Sequence, residues 1–154
     1  MRSADNPHSS VRILVVDDFE PWRRQICSIL QTQTEFCVVA EAADGLEALQ
    51  AFRELKPDVT LLDIALPKLN GLETAKRIRQ TDSTTKIVFI SQNDDADVVR
   101  AALSTGAEGY VFKKDVNSDL LAAVAAAARG ERFVSTGVKL VPINREPTKE
   151  TPNP

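Results

Sequence analysis

The sequence has few of the residues that build zinc sites and nucleophilic catalytic sites. It contains one histidine, His8, and two cysteines, Cys27 and Cys37, so no CxxC or HxxxH ligand spacing occurs. A zinc site is therefore not expected. Because His8 lies in residues 1–10, which we expect to be a disordered leader, a Ser-His-Asp or Cys-His apparatus lacks a base in the folded part.

Long apolar runs and an excess of positive charge are also missing. No segment approaches the ~18 apolar residues of a membrane span, and residues 1–10 lack the apolar stretch of a signal peptide. We therefore expect a cytoplasmic protein with reduced thiols and no membrane contact. The 19 Lys and Arg residues against 22 Asp and Glu give a formal net charge of −3, which does not support a main role in holding nucleic acid.

The 154 residues, 43% of them hydrophobic and 27% charged, have the composition of one globular domain. A chain of this size buries roughly 68–70% of its unfolded surface, so its core needs no disulfide or structural metal. Five short apolar runs alternate with longer segments of helical period, a pattern that predicts a parallel sheet covered on both faces. The runs are Val11–Val16, Phe36–Ala40, Val59–Leu62, Ile87–Ile90 and Gly109–Phe112.

The segments after these runs predict five helices and hence an α/β fold of the (βα)5 type with three layers. Pro21 suits the first position of a helix that carries Trp22 and Ile26 on one face. The other helices are predicted at 45–55, 72–79, 95–105 and 118–129, the last being rich in alanine and ending at Gly130. The domain is therefore predicted at 11–130, and 131–154, with four prolines near its end, is predicted as a linker or disordered tail.

Charged and hydroxyl side chains follow four of the predicted strands. Asp17 and Asp18 follow the first strand, and Asp63 follows the third. Ser91 follows the fourth, and Lys113 follows the fifth. Because ligands of open α/β sheets bind at the carboxyl ends of the strands, we expect these five side chains to converge on one edge of the sheet.

Each of these residues also has an ordinary structural interpretation. Asp17 and Asp18 are as well explained by helix capping as by function, and Asp63 alone is better explained by a turn. Ser91 alone is typical of a loop hydroxyl, and Lys113 alone is typical of a solvated surface lysine. The combination favours function, because four separate strand ends would otherwise have to carry suitable groups by accident.

Three neighbouring carboxylates predict a bound cation, because they repel one another unless a positive charge neutralises them. Oxygen ligands without Cys or His favour a hard cation, and Mg²⁺ takes one or two carboxylates together with waters and a phosphate oxygen. The chemistry indicated is phosphoryl transfer to one of the carboxylates, with Lys113 and the Ser91 hydroxyl holding the equatorial oxygens. These residues alone leave open which Asp attacks.

In their order and at their strand ends, these motifs resemble the receiver domain of response regulators in two-component signalling. The matching segments are DD at Asp17 and Asp18, LLDIALPKLNGLE around Asp63, IVFIS ending at Ser91, and GAEGYVFKKD around Lys113. The resemblance spans Val11–Arg129, nearly all of the predicted domain. It implies a flavodoxin-like three-layer sandwich with strand order 2-1-3-4-5.

The resemblance also implies a role for each charged residue. Asp63 would be the phosphoacceptor, Asp18 would ligate Mg²⁺ directly, and Asp17 would assist through water. The backbone carbonyl of Ala65 would be a further ligand. Lys113 would pair with the phosphoryl group.

The resemblance implies a switch next to the acceptor. The Ser91 hydroxyl would move toward the phosphoryl group, and Tyr110 would follow into the vacated space. Ala65 and Asn93 hold the positions that tune hydrolysis of the acyl phosphate in this family. Gln92 stands where the family usually has a small residue, so we expect it to affect the movement of this loop.

The implied phosphodonor is a phosphohistidine on a sensor histidine kinase, and the implied readout surface is the fourth helix, fifth strand and fifth helix. The chain would not be an enzyme in the ordinary sense, since it takes up a phosphoryl group and hydrolyses it slowly. GAEGYVFKKD, the alanine-rich fifth helix and GERFVS resemble LuxR-type transcriptional regulators. Homodimerisation stays open.

The sequence leaves three possible outputs for such a receiver, and it disfavours two other kinds of protein. Residues 131–154 lack the helical period of a DNA-binding unit, so DNA contact would require an output domain outside this chain. The chain is then the receiver of a longer regulator, a stand-alone receiver, or a phosphorylation-independent adaptor. An aspartyl phosphatase is disfavoured because the DxD spacing is absent, and a nucleotide-binding module is disfavoured because neither glycine-rich motif occurs.

Overall fold

The computed structural model describes residues 10–135, so the predictions for residues 1–9 and 136–154 lie outside the described part. The strands are β1 Val11–Val16, β2 Phe36–Ala42, β3 Val59–Leu62, β4 Lys86–Ser91, β5 Gly109–Phe112 and β6 Phe133–Val134. The helices are α1 Glu20–Leu30, α2 Gly45–Leu55, α3 Gly71–Thr81, α4 Ala96–Ser104 and α5 Val116–Ala128. One turn of 3-10 helix at Lys113–Asp115 joins β5 to α5.

The strands form one parallel sheet with the order β2-β1-β3-β4-β5-β6. The predicted (βα)5 fold and the implied order 2-1-3-4-5 are confirmed. The bounds predicted for the five strands and for α2 to α5 differ from the observed bounds by at most two residues, and α1 begins one residue before Pro21. The spacing of the apolar residues, together with the glycines and prolines at segment ends, was therefore sufficient to locate these helices and strands.

Alternating residues of the strands face two separate cores, as the two-residue period of a strand requires. Leu14 and Leu62 contribute to the core under α2, α3 and α4. Ile13 and Leu61 contribute to the core under α1 and α5. The alanines of α5 let it lie close to the sheet, and Ala123 and Ala127 are fully buried there. Among residues 10–135, no helix has the length and apolarity to cross a membrane.

The sixth strand corrects the predicted end of the folded part at residue 130. The chain turns back after α5 and pairs with the free edge of β5, where the Phe133 amide donates to the Glu108 carbonyl at 3.0 Å. Two residues are too few to show a period in the sequence, and an open sheet edge offers partners to any segment that reaches it. The described domain therefore continues to Ser135.

Candidate functional site

Three carboxylates meet at the carboxyl ends of β1 and β3. Asp17, Asp18 and Asp63 each offer one oxygen, and these atoms all lie within 4.8 Å of one another. The hydrogen bonding between neighbouring strands continues past the strand ends. The Asp17 amide donates to the Ala42 carbonyl and the Asp63 amide donates to the Val16 carbonyl, both at 3.1 Å. Asp17 and Asp63 are buried, whereas Asp18 faces solvent. The predicted convergence of the acidic residues is present.

Lys113 brings a positive charge to this cluster from the end of β5. Its Nζ lies 2.6 Å from Asp17 Oδ2 and 3.3 Å from Asp63 Oδ2, and the residue is only 5% exposed. The indole of Trp22, at the start of α1, covers the ammonium from 5.3 Å, in range of a cation–π interaction. Lys113 is therefore held between two acidic side chains and an aromatic ring.

The burial of Asp63 changes its acidity. Removal of the carboxylate from water raises its pKa, and the negative charge of Asp17 adds to this effect. The Lys113 ammonium acts in the opposite direction but does not cancel the increase. The ionised form of Asp63 therefore gains from any further positive charge that is brought to the site.

The residues present fit a divalent cation. One ammonium faces three carboxylates, and Asp17 Oδ2, although beside Lys113, accepts no hydrogen bond of normal geometry. The atoms that the cluster offers to a metal are all carboxylate oxygens, which suit Mg²⁺ rather than a soft metal. The acidic pocket is compatible with Mg²⁺.

Hydrogen bonds connect the predicted hydroxyl and aromatic residues beside this cluster. The Ser91 hydroxyl, which is buried, accepts from the Asn93 amide at 3.0 Å. The Tyr110 hydroxyl donates to the Asn93 carbonyl at 2.7 Å, and the ring is fully buried. Burial also raises the pKa of Tyr110, so the phenol keeps its proton.

An open cavity of about 310 Å³ gives access to the Asp63 carboxylate. It is lined by Asp63, Ala65, Ser91, Gln92, Asn93 and Lys113. A second cavity of about 320 Å³ shares Ser91, Gln92 and Lys113 with the first and continues to Trp22. Ala65, Gln92 and Asn93 are exposed at the mouth, so a ligand at Asp63 would meet their backbone or side chains.

The ordinary interpretations of the aspartates account for little of what is observed. The residue that caps α1 is Phe19, whose side chain makes no capping bond, so Asp18 is not the cap. The amide of Phe19 donates to Asp17 Oδ1 at 2.9 Å, which fixes the Asp17 side chain. Among the described residues, the backbone donor to the Asp63 carboxylate is the Ala65 amide, at a long 3.4 Å, and its other oxygen faces Lys113, so a turn does not account for this side chain.

Two residues near the site were not recognised in the sequence. Gly71 follows Asn70 in a pair typical of turns, but a Cβ at Gly71 would lie 2.1 Å from the Asp63 carbonyl oxygen. Only glycine lets α3 begin this close to the loop of Asp63. Ser135, in the predicted tail, bonds to the end of β5. Neither contact leaves a periodic signal in the sequence.

Comparison with known proteins agrees with this arrangement. Residues 13–125 match the family model described as the response regulator receiver domain. The chain is 34% identical over 126 residues to the transcriptional regulatory protein DegU of Brevibacillus brevis, covering 82% of this chain and 53% of DegU. It is 35% identical over 123 residues to the nitrate/nitrite response regulator NarL of Escherichia coli K12, covering 80% of this chain and 57% of NarL. The chain thus spans just over half the length of these relatives.

Solved structures give the same result. A LuxR-family two-component response regulator from Aurantimonas sp. SI85-9A1 superposes with a TM-score of 0.81 at 33% identity, covering 84% of this chain and 93% of that one. The signal receiver domain of NarL from Mycobacterium tuberculosis gives 0.76 at 32% identity, covering 80% and 99%. The chain belongs to the response regulator receiver family of two-component signalling and is similar to the receivers of LuxR- and NarL-type transcriptional regulators.

Proposed function

We propose that this receiver takes a phosphoryl group from a phosphohistidine of a sensor histidine kinase onto the carboxylate of Asp63. The main support is one relationship: Asp63 lies beside an open cavity, 3.3 Å from Lys113 and within 4.8 Å of the oxygens of Asp17 and Asp18. A buried carboxylate with a raised pKa, paired with a buried lysine, is typical of a group that reacts rather than one that only stabilises the fold.

The reaction is a displacement at phosphorus. An oxygen of Asp63 attacks, a P–O bond forms, and the P–N bond of the donor breaks with its electron pair going to the imidazole nitrogen. Lys113 neutralises charge on the equatorial oxygens of the transferring group. The Ser91 hydroxyl, which lines the same cavity, donates a hydrogen bond to one of these oxygens.

The acidic cluster would hold Mg²⁺ during this reaction. Asp18 and Asp63 would contribute direct ligands, Asp17 would act through water, and the Ala65 carbonyl would complete the protein's share. Bound there, the ion would offset negative charge on the acceptor and on the transferring phosphoryl group. The contacts of Asp17 agree with this division, because its two oxygens already lie beside the Lys113 ammonium and the Phe19 amide, whereas Asp18 faces solvent.

The switch would run from the hydroxyl beside the acceptor to the buried tyrosine. The Asn93 backbone already joins the two, since its amide donates to Ser91 and its carbonyl accepts from Tyr110. A Ser91 hydroxyl that turns toward a phosphoryl oxygen would shift this loop and the Tyr110 hydroxyl with it. Ala65, which offers no side chain to orient water, and Asn93, which offers one, would set the lifetime of the acyl phosphate. The surface formed by α4, β5 and α5 would carry the change to the output.

The output we propose is transcription regulation as the receiver part of a LuxR-type regulator. The support is the similarity to the receivers of DegU and NarL, each of which is nearly twice as long as the matched region. Contact with DNA would be made by an output domain and not by residues 10–135. The complete acidic pocket favours this function over a phosphorylation-independent adaptor.

Intact-mass spectrometry after incubation with acetyl phosphate tests the proposal. We expect one phosphoryl adduct that requires Mg²⁺, is removed by hydroxylamine, and is absent in Asp63→Asn. Asp94→Asn is the matched control, because Asp94 is an exposed carboxylate at the same end of the sheet. An adduct that persists in Asp63→Asn, or no adduct in the wild type once Mg²⁺ binding is established, contradicts the proposal.

A further inference from the structure

The chain beyond α5 returns to β5 and ends its described path at a buried serine. Ser135 is 1% exposed, and its amide donates to the Tyr110 carbonyl at 2.9 Å. Its hydroxyl accepts from the Phe112 amide at 3.2 Å and donates to Asp119 Oδ2 on α5 at 2.8 Å. Ser135 therefore joins the outer edge of β5 to the first turns of α5 with three hydrogen bonds.

These bonds hold the part of β5 that carries the reactive and switching groups. Phe112 directly precedes Lys113, and the Lys113 backbone begins the 3-10 turn that leads to α5. The Tyr110 carbonyl and the Phe112 amide point to the same edge of the strand, and Ser135 bonds to both. Without the hydroxyl, the buried Phe112 amide loses its partner and the end of β5 loses its tie to α5.

We propose that Ser135, oriented by Asp119, is a positioning residue for the reaction at Asp63. By fixing the end of β5, it holds Lys113 at the place where its ammonium contacts Asp17 and Asp63. This inference rests on the proposed phosphoacceptor function. If the inference is correct, the functional receiver extends beyond the predicted boundary at residue 130. A chain that ends at residue 130 would fold without the Ser135 hydrogen bonds that position Lys113.

The test uses beryllium fluoride, a phosphoryl mimic, added to the full chain at saturating Mg²⁺ while the emission of Trp22 is recorded. We expect Ser135→Ala and Asp119→Ala to bind the mimic about tenfold more weakly, the equivalent of one lost charge-assisted hydrogen bond. Asp119→Asn keeps an acceptor for the Ser135 hydroxyl and should restore affinity to within about twofold. Because the two residues form one unit, the double variant Ser135→Ala/Asp119→Ala should be no weaker than either single variant.

Ser118→Ala is the matched control. The Ser118 hydroxyl also bonds to Asp119, at 3.1 Å, but Ser118 is exposed and lies on α5 rather than against β5. We expect this variant to bind the mimic as the wild type does. Equal weakening in Ser118→Ala and Ser135→Ala would overturn the proposal.

Mg²⁺ affinity, measured by calorimetry without the mimic, separates positioning from general loosening. The three carboxylates come from β1 and β3, so Ser135→Ala should bind Mg²⁺ at least as tightly as the wild type. Parallel losses for Mg²⁺ and the mimic, or wild-type affinity for the mimic in Ser135→Ala, would overturn the proposal. If Ser135→Ala does not fold, Asp119→Ala decides alone. Failure of the wild type to bind the mimic or to be phosphorylated would instead refute the proposed function.

Discussion

The Lys113 ammonium lies 5.3 Å from the centre of the Trp22 ring and 2.6 Å from Asp17 Oδ2. Because Trp22 is the single tryptophan, all tryptophan emission of the protein comes from an indole beside this site. A cation bound by the acidic cluster would weaken the electrostatic attraction between Asp17 and Lys113. It would thereby change the electric field at the indole of Trp22. We therefore expect Mg²⁺ to change the Trp22 emission in a saturable titration.

Asp18→Asn is the control for this titration. The variant removes one exposed carboxylate of the cluster without changing Lys113 or the indole, so the same change should appear only at much higher Mg²⁺ concentration. Unchanged Trp22 emission in a wild-type sample whose Mg²⁺ binding is shown by calorimetry would contradict the arrangement of these three groups.

Asp63 makes the metal-free fold less stable as pH rises. Its pKa in the folded chain lies above the ordinary value of 3.8, chiefly because burial opposes its ionisation. Its favourable contribution is therefore complete below about pH 3.8 and is lost as pH rises through the folded-state pKa. Between about pH 4 and about pH 7, wild type should lose more free energy of unfolding than Asp63→Asn, as measured in urea without Mg²⁺. Parallel pH profiles of the two proteins would exclude a raised pKa at Asp63.

The acidic site was predictable from the sequence because topology alone brings its residues together. Buried strands are followed directly by Asp17, Asp63 and Lys113, and another strand ends at Ser91. The carboxyl ends of parallel strands share one edge. No side-chain distance was needed for that inference. The prediction that Asp63 is the phosphoacceptor rests on the family resemblance and not on this convergence.

Contacts that depend on single residues were not predictable in the same way. β6 is two residues long and owes its strand conformation to the free edge of β5, so its own sequence carries no period. The Asn70-Gly71 pair is typical of a local turn, whereas the requirement for glycine arises from the Asp63 carbonyl on another loop. Both are tertiary effects that override or escape local preference.

Arg79 should be among the most important charged residues for stability. Its guanidinium donates to the carbonyls of Thr85 and Gly106 and pairs with Glu108, whose Oε1 also accepts from the Ile87 amide at 2.9 Å. Arg79 and Glu108 are each only 17% exposed. Arg79→Ala should therefore lower the free energy of unfolding by about 2–3 kcal/mol in urea, because Glu108 loses its positive partner and the two carbonyls lose this donor.

Arg77 provides the comparison on the same helix. It pairs with Glu73 one turn away, but both side chains are more than 40% exposed. Arg77→Ala should change the free energy of unfolding by about 0.5 kcal/mol or less. Similar losses in the two variants would show that the Arg79 network contributes no more than a surface ion pair.

The two cysteines should differ strongly in reactivity. Burial in α1, together with the nearby Glu41, raises the pKa of Cys27 from 9.0 to about 11, whereas Cys37 is exposed on the edge strand β2. We expect one thiol to react with Ellman's reagent in the native protein and two in urea. Cys37→Ser should abolish the native reaction.

Since the folded-state pKa is the higher one, Cys27 favours the fold below pH 9 and loses this contribution as pH rises through about 11.

Gly71 links the stability of the fold to the position of Asp63. In Gly71→Ala the new Cβ would lie 2.1 Å from the Asp63 carbonyl oxygen and 2.6 Å from the Ile64 Cα, both of which are backbone atoms. The loop must therefore move, which should cost about 3 kcal/mol and reduce Mg²⁺-dependent phosphorylation in the fraction that stays folded.

Gly130→Ala is the control, because it strains a backbone with φ of +78° but its Cβ meets only Lys86 Nζ, at 3.7 Å. It should cost about 1 kcal/mol and leave phosphorylation unchanged. Equal phosphorylation in the two variants at matched folded fractions would mean that Asp63 does not depend on the close approach of α3.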